Sequence, residues 1–548
     1  RNRGTVSDPR NWRGHLDGGG LCGYQRPMQQ PYLLHQLLER AVRESPTNVA
    51  IYDRKQVWDY ATLAANARRV AETLQNLGIG QGDRVALLVE KSAWSIAALY
   101  GILSLGAAYV PLDIAAPINR NTTILSRAAV STVITTKPRL ASLLENAAAD
   151  DAWRQRGFVL LGDTGPAIEG TPRGFRPLPS ALSDQAIAYV LHTSGSTGVP
   201  KGVAISHRNS LVFVNAAVAE FNFNENDRFA LHAPLHFDLS VFDLFCAASV
   251  GGAVVVLPEF FSAFPQKMCS AIAEHGVTVW NSVVSALALL LDKGRAAEHN
   301  VASVRAIFFS GERMPVPLLA RIREVFTNAR LFNVYGQTEA NSSMVHEVVT
   351  VPEKADASLP LGHALANFEV FLWSEDGSIL RGEGTGELCV RSGSVASGAY
   401  FKDPERSAER FVADPEYPQS GERIYRTGDV ARRDSEGQLF LIGRRDSMVK
   451  SRGYRVELSE VEKAIEELLP VAESAVVTVP DPLIGNAIVA FLLGDKSQLD
   501  VTELAARLRT KLPDYMVPDP IFIESELPRT SSGKIDKQAL SNKAGSMR

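Results

Sequence analysis

Cysteine is scarce: 4 residues in 548, at Cys22, Cys246, Cys269 and Cys389. None falls in a CxxC pair or a Cys/His cluster, so neither a disulfide framework nor structural zinc is expected, and a reducing, cytoplasmic setting follows. Charge of one sign is not in excess. The 57 Lys and Arg against 61 Asp and Glu leave −4, which advertises neither nucleic acid nor an anionic membrane as a partner. Long hydrophobic runs are missing but for one, 92–112, uncharged between Lys91 and Asp113. Gly101, Gly106 and Pro111 interrupt it, and its texture changes at Gly106 from helix-like to strand-like, so a buried helix and a buried strand are predicted rather than a membrane span. Internal repeats are absent. So are a Gly-Gly-x-Ser carrier motif and an HHxxxDG motif, which removes two kinds of chemistry from the chain itself.

At 548 residues the chain exceeds one core and predicts two or more domains. It opens at Arg1, as a piece of something longer would. Residues 1–30, with five Arg and Gly18-Gly19-Gly20, lack the apolar core of a signal peptide and read as a flexible extension. Beyond them, strand-length apolar runs at 49–52, 85–89, 108–110, 132–135 and 186–191 alternate with helix-like stretches over 33–44, 60–77 and 94–105. The alternation resumes with strands at 228–231, 253–257, 278–280, 306–311 and 331–335 and helices over 210–220, 265–275 and 286–292. Such alternation predicts an α/β class with doubly wound sheets. The 140–180 stretch, rich in Gly and Pro, is expected to wrap the surface. From about 374 the pattern turns to period-2 hairpins, a β-rich subdomain. Past a linker at 443–447 follow a hairpin around Gly453, helices over 459–469 and 501–512, and strands at 474–479, 487–493 and 521–523. The expected division is 1–30, a large domain over 31–445, and a small mobile α+β domain over 446–548.

One stretch concentrates chemistry: Thr193-Ser194-Gly195-Ser196-Thr197-Gly198-Val199-Pro200-Lys201-Gly202. Glycines let backbone N–H groups approach an anion, while the hydroxyls and the lysine supply donors and charge. It reads as a phosphate loop, against the plainer alternative of a solvated Gly/Ser connection. It is not the GxxxxGK[ST] loop, because Pro200 precedes Lys201 and Gly202 follows it. Four more segments recur in order: Tyr335-Gly336-Gln337-Thr338-Glu339, Tyr425-Arg426-Thr427-Gly428-Asp429, Gly443-Arg444-Arg445-Asp446 and Ser532-Gly533-Lys534-Ile535-Asp536. With Leu105-Gly106-Ala107-Ala108-Tyr109-Val110-Pro111-Leu112-Asp113 and Leu512-Pro513-Asp514-Tyr515-Met516-Val517-Pro518 in place, the chain over about 31–540 resembles the adenylate-forming superfamily. That superfamily holds the adenylation domains of nonribosomal peptide synthetases, free-standing amino acid:carrier protein ligases, acyl- and aryl-CoA ligases and luciferases.

The resemblance implies ATP and Mg²⁺ as cofactors. It places Thr193, Ser194, Gly195, Ser196, Thr197, Gly198 and Lys201 on the β- and γ-phosphates, Glu339 on Mg²⁺, Thr338 on the α-phosphate, Tyr335 on the adenine face and Asn333 on its amine. Asp429 would hold the ribose hydroxyls with Arg444 assisting, and Gly311 and Gly336 would complete the ATP site. Lys534 would bridge the substrate carboxylate and the α-phosphate, and Asp446 would be the hinge of the small domain. Gln337 stands where proline is commonest.

Phe237-Asp238-Leu239-Ser240 marks the branch, since Asp238 in amino-acid-activating members pairs with the substrate ammonium, whereas an apolar acyl tail would leave it unpaired. The carried-over pocket is His236, Asp238, Leu239, Phe242, Asn281, Phe308, Ser310, Val334, Ser342 and Ser343. Beyond Asp238 and Lys534 it has no charge, which favours a small neutral amino acid (alanine, serine, threonine or cysteine). Proline, its analogues and β-amino acids stay open. The thiol acceptor implied is the phosphopantetheine of a separate carrier protein, with a small MbtH-like helper as a further possible partner; the rival is an acyl- or aryl-CoA ligase. An ammonium about 4 Å from a phosphate oxygen at effective dielectric near 20 contributes roughly 4 kcal/mol. Lys534→Ala is therefore expected to slow adenylate formation on the order of a thousandfold with folding intact. Amino-acid-dependent pyrophosphate exchange reads this, and near-normal exchange would remove Lys534 from the reaction.

Overall fold

The apolar run at 92–112 divides where its glycines stand. Helix Ala93–Ser104 is capped by Ser92, whose Oγ accepts from the Ser95 N–H, and strand Ala108–Pro111 is buried at every position. The helix is buried from Ala93 to Leu103 because it touches strands of two different sheets, Val49–Asp53 and Ala108–Pro111. A helix apolar all round is what such a position requires. Helix Leu239–Val250, buried from Ser240 to Ala248, is covered differently, by strands of the sheet that holds Val49–Asp53 on one side and by helices His35–Glu44 and His207–Phe221. The sequence reading did not separate this second helix, since continuous apolarity carries no helical period.

A computed structural model describes residues 30–547 apart from 55, 147–155, 170–173, 175–180, 196–198, 356, 446–447, 470–472, 482–483, 495–498 and 530–534. Two large sheets lie among these. In the first, Thr132–Thr135, Arg84–Leu88, Ala108–Pro111 and Ile187–Thr193 run parallel, and Lys201–Ser206 returns antiparallel to Ile187–Thr193. At its other edge the hairpin Gly157–Gly162/Gly165–Glu169 continues the sheet. That corrects the surface wrapping expected for 140–180: Phe158-Val159-Leu160-Leu161 is an apolar strand, and Gly165 takes φ +116° at the turn, a conformation open to glycine. The second sheet is parallel through Val49–Asp53, Ala253–Val256, Arg228–Leu231, Val279–Val283, Ala306–Ser310 and Arg330–Gln337. Strand Asn341–Glu347 then returns antiparallel. The expected doubly wound α/β core is the observed one.

Strands Phe368–Trp373, Gly384–Ser392, Arg423–Arg433 and Leu439–Arg444 form the β-rich part. The C-terminal residues follow with the hairpin Met448–Ser451/Tyr454–Glu457, helix Leu458–Leu468 and the sheet Ser474–Asp481, Gly485–Leu493, Ile521–Glu524. These build cores of their own, one around Val456, Val461, Ile465 and Leu508, another around Ala475, Phe491 and Leu540. Loops at the C-terminal ends of the parallel strands carry Asp238, Gly311 and Thr338, the position where ligands of open α/β sheets bind. Among the described residues no helix is long and apolar enough to cross a membrane.

Helix Tyr60–Asn76 approaches Ala93–Ser104 through Gly101, where a Cβ would stand 2.7 Å from the Ala67 carbonyl oxygen and 3.0 Å from Val70 Cβ. Overpacking of this kind costs about 1–3 kcal/mol. Gly101→Val is expected to lower the thermal unfolding midpoint by a few degrees, and an unchanged midpoint in a thermal melt would contradict the close approach.

Candidate active site

The segment expected to bind phosphate begins at the end of the buried strand Ile187–Thr193, and Lys201 opens the strand that returns beside it. Across from the loop, Glu339 follows strand Arg330–Gln337 and is 0% exposed. Its Oε1 accepts from Tyr400 Oη at 2.8 Å. Arg455 Nη1 donates to its two oxygens at 3.0 and 3.1 Å, and Lys201 Nζ stands 3.4 Å away. Burial alone would raise the Glu339 carboxyl, but Arg455 and Lys201 outweigh it and hold the group well below the usual carboxylate range. Burial and the neighbouring Arg455 bring the Lys201 ammonium down to about 8, with Glu339 opposing.

A second carboxylate, Asp429, sits on strand Arg423–Arg433 opposite Arg444. Tyr335 Oη and Gln337 Nε2 each donate to its Oδ2 at 2.7 Å, and Arg444 Nη1 donates to Oδ1. The unusual Gln337 thus has a function that proline could not serve, as a donor to Asp429. A third carboxylate, Asp238, ends the loop before the buried helix Leu239–Val250. Its side chain does not cap that helix. Instead Thr338 Oγ1 donates to Asp238 Oδ2 at 2.7 Å. Burial raises its carboxyl, opposed by Thr338 and by the Lys450 ammonium.

Asp238, Asp429, Thr338, Arg444, Gly311, Gly336, His236, Leu239, Ser310, Thr193 and Ser194 come together around one cleft of about 140 Å³. Phe242, Asn281, Phe308, Val334 and Ser342 line a small void of about 10 Å³ behind it. Ser343 does not face that void: it is buried, and its Oγ donates to the Tyr335 carbonyl at 3.4 Å. Asn333 and Tyr335 are likewise engaged elsewhere. Asn333 Nδ2 donates to the Pro360 carbonyl at 2.9 Å, and the Tyr335 ring packs among Met344, Leu361, Leu372 and Leu388. Ser196, Thr197, Gly198, Asp446 and Lys534 lie outside the described residues.

The small domain brings Lys450, Gly453, Tyr454 and Arg455 to the cleft, none of them among the expected residues. The signal for them was the glycine of Arg452-Gly453-Tyr454-Arg455. Gly453 takes φ +79°, and a Cβ there would meet the Val283 side chain of the large domain at 2.4 Å. Its N–H donates to Glu312 Oε1 at 2.7 Å, and Tyr454 packs edge-on to Phe237, ring centroids 4.8 Å apart. The Lys450 ammonium is depressed by burial, with Asp429 and Asp238 opposing. A second cavity, of about 660 Å³, shares Asp113, His236, Phe237, Leu239, Val283 and Tyr454 with the cleft. Ser262, Lys293 and Arg452, which also line it, are exposed.

Among the described residues no three His, Cys, Asp or Glu converge as a metal site. A Mg²⁺ ion held by one carboxylate plus substrate phosphates needs only Glu339 from the protein. Glu339, a carboxylate 0% exposed beside Lys201, fits that demand.

Comparison with known proteins places this geometry. The description "AMP-binding enzyme" matches residues 38–400, and "AMP-binding enzyme C-terminal domain" matches 460–534. The chain is 34% identical to an L-proline--[L-prolyl-carrier protein] ligase of Pseudomonas fluorescens, over 93% of this chain and 98% of that one. It is 32% identical to malpinin synthetase of Mortierella alpina, over 92% of this chain but 6% of that much longer protein. The crystal structure of IdnL1 superposes with a TM-score of 0.79 at 30% identity, covering 91% of this chain and 100% of the other. Two matched segments spanning most of the sequence show that this chain belongs to the AMP-binding enzyme family.

Proposed function

We propose that the chain activates a small neutral or proline-like amino acid with ATP, forming aminoacyl-AMP and pyrophosphate, and passes the aminoacyl group to the phosphopantetheine thiol of a separate carrier protein. The observation that carries this reading is Asp238. A buried carboxylate whose proton affinity is raised by its surroundings gains most from a cation brought by the substrate, and an amino acid's ammonium is that cation. The void behind it supports a small side chain: Phe213, Phe221, Phe242 and Phe308 fill the space to about 10 Å³, roughly the room one water needs.

In the first half-reaction a substrate carboxylate oxygen attacks the α-phosphorus and pyrophosphate leaves. Ser194, Gly195 and Lys201 supply donors for the departing phosphates, Thr338 a hydroxyl for the α-phosphate, and Asp429 an acceptor for two ribose hydroxyls. Glu339 would hold Mg²⁺, whose charge offsets that of the phosphates. In the second, a C–S bond forms at the acyl carbon as the bond to AMP oxygen breaks, and the thiol proton passes to water. Lys450, within electrostatic reach of both Asp238 and Asp429, supplies positive charge where the AMP phosphate departs. The cavity lined by Phe237, Tyr454 and Arg452 would admit the thiol arm. From the resemblance, Lys534 would serve the first half-reaction and Asp446 would be the hinge of the small domain. The buried free thiols Cys246, Cys269 and Cys389 suit a cytoplasmic setting.

Pyrophosphate exchange across the proteinogenic amino acids plus β-alanine is expected to peak on a small neutral or proline-like substrate. Asp238→Ala is expected to lower kcat/KM for it by about a hundredfold, the effect of roughly 3 kcal/mol for an unpaired ammonium. No amino-acid-dependent exchange would overturn the reading, and thioester formation with CoA in preference to a holo carrier protein would replace the acceptor. Gly453→Ala, strained at positive φ and clashing with Val283, is expected to slow thioester formation about tenfold more than adenylation; equal losses in the two half-reactions would contradict the docking described for Gly453.

A further inference from the structure

Helix Pro404–Arg410 of the large domain belongs to none of the five motifs, yet the chain ties it to the 193–202 segment. The residues before it are stitched to strand Lys201–Ser206: the Ala204 N–H donates to the Ala399 carbonyl, the Phe401 N–H to the Gly202 carbonyl at 2.7 Å, and Val203 pairs with Tyr400 in a β-bridge. Tyr400 Oη accepts from Lys201 Nζ at 3.2 Å. Asp403 then caps the helix, its side chain accepting from the Arg406 N–H, and Pro404 follows in the first turn, where no N–H partner is needed. Ser407 Oγ donates to the Asp403 carbonyl at 2.6 Å and accepts from the Tyr400 N–H at 3.2 Å. Residues four apart on a helix share a face, and here that face carries Arg406 and Arg410. Arg406 Nη1 stands 3.1 Å from the place a Cβ on Gly195 would take. Arg410 reaches the buried Glu387, and after burial and Arg455 its charge also helps to lower the Lys201 ammonium.

We propose that Arg406 is a binding residue for the terminal phosphates of a nucleoside triphosphate, a guanidinium delivered to the loop by helix Pro404–Arg410. This rests on the reading of the 193–202 segment as a phosphate loop. Lys201, the cation within that segment, is already paired with Glu339 and Tyr400, so a polyphosphate gains most from a cation carried by another element. A planar guanidinium also meets two oxygens of one phosphate at once, which a point-charge ammonium does not. Arg406 is held in place before any ligand arrives. Its backbone is fixed by the Asp403 cap, and its Nη1 stands 3.6 Å from Asp403 Oδ2, each side chain 18% exposed. Little side-chain freedom is left for the ligand to remove. The β- and γ-phosphates are what separate ATP and pyrophosphate from AMP. Arg406 therefore acts on the entry of ATP and on pyrophosphate, and not on the α-phosphorus.

Isothermal titration of the full chain with MgATP, magnesium pyrophosphate and AMP tests this. Arg406→Gln and Arg406→Met both remove the charge, and Met keeps an apolar stem in its place. Each is expected to weaken MgATP and magnesium pyrophosphate about tenfold while AMP stays within about twofold, the loss of one charge-assisted contact. Arg406→Lys, which keeps the charge but not the fork, is expected to fall between these variants and the unaltered chain. In pyrophosphate exchange Arg406→Gln is expected to raise KM for ATP and for pyrophosphate with kcat held within about threefold, the mark of uniform binding. Arg321→Gln, on helix Val316–Val325 and paired with Asp292, is the control of equal charge change and is expected to bind all three ligands as the unaltered chain does. Unaltered MgATP affinity in Arg406→Met would overturn the inference, since packing alone would then suffice, and so would an equal weakening of AMP in Arg406→Gln or of MgATP in Arg321→Gln. Lys201→Gln separates the two levels of the argument. MgATP weakened by Lys201→Gln but not by Arg406→Gln would overturn the role of Arg406 alone, whereas MgATP binding indifferent to both would overturn the phosphate-loop reading itself.

Discussion

The Glu339 carboxylate, wholly buried and met by Arg455, Lys201 and Tyr400, is the constraint around which the two parts of the molecule are arranged. Removing one partner of such a buried pair costs about 3–5 kcal/mol, because the other charge is left uncompensated. Two cations meet that need from different parts of the chain, Lys201 from the strand that returns beside Ile187–Thr193 and Arg455 from the strand Tyr454–Glu457 of the small domain, so one buried carboxylate ties the two parts together.

Helix Ala93–Ser104 touches strands of both large sheets, helix Leu239–Val250 packs on the second, and neither has a polar face. The loops that follow the parallel strands carry Asp238 and Thr338 to the cleft. Phe221, Phe242, Phe308 and Phe332 form a contiguous aromatic cluster, with Phe308 and Phe332 stacked at 4.8 Å. Aromatic rings held on both sides by others do not retract readily. The small void is thus bounded by side chains, Phe242 and Phe308, that are themselves held by further rings.

Gln337 illustrates how a departure from a pattern can be informative. A proline there would fix the backbone but offer no donor, whereas the glutamine amide donates to Asp429 alongside Tyr335. The carboxylate that would receive ribose is consequently held by two neutral donors and one guanidinium. The ring of Tyr335 packs into the core cluster with Met344 and Leu388. Asn333 is similarly tied to the Pro360 carbonyl.

Whatever depends on near neighbours in the chain was legible without coordinates. Apolar runs such as 85–89 and 132–135 became buried parallel strands, the 92–112 run divided at its glycines, and the loop at 193–202 declared its donors by composition. The roles expected of Thr338, Glu339, Asp429 and Asp238 came from the resemblance of their motifs, and the fold brings Thr338, Asp429 and Asp238 to one cleft. The Leu239–Val250 helix escaped because burial on every face erases periodicity, and the 157–169 hairpin because its glycines resembled a loop. Which residues of the small domain meet the cleft was left to tertiary packing. Nothing within Arg452-Gly453-Tyr454-Arg455, or around Glu460, names Glu339 or Gly195 as a partner. The contacts Arg455–Glu339 and Glu460–Gly195 join residues 116 and 265 positions apart, and they exist because a rigid-body placement, not a local propensity, satisfies two buried charges at once.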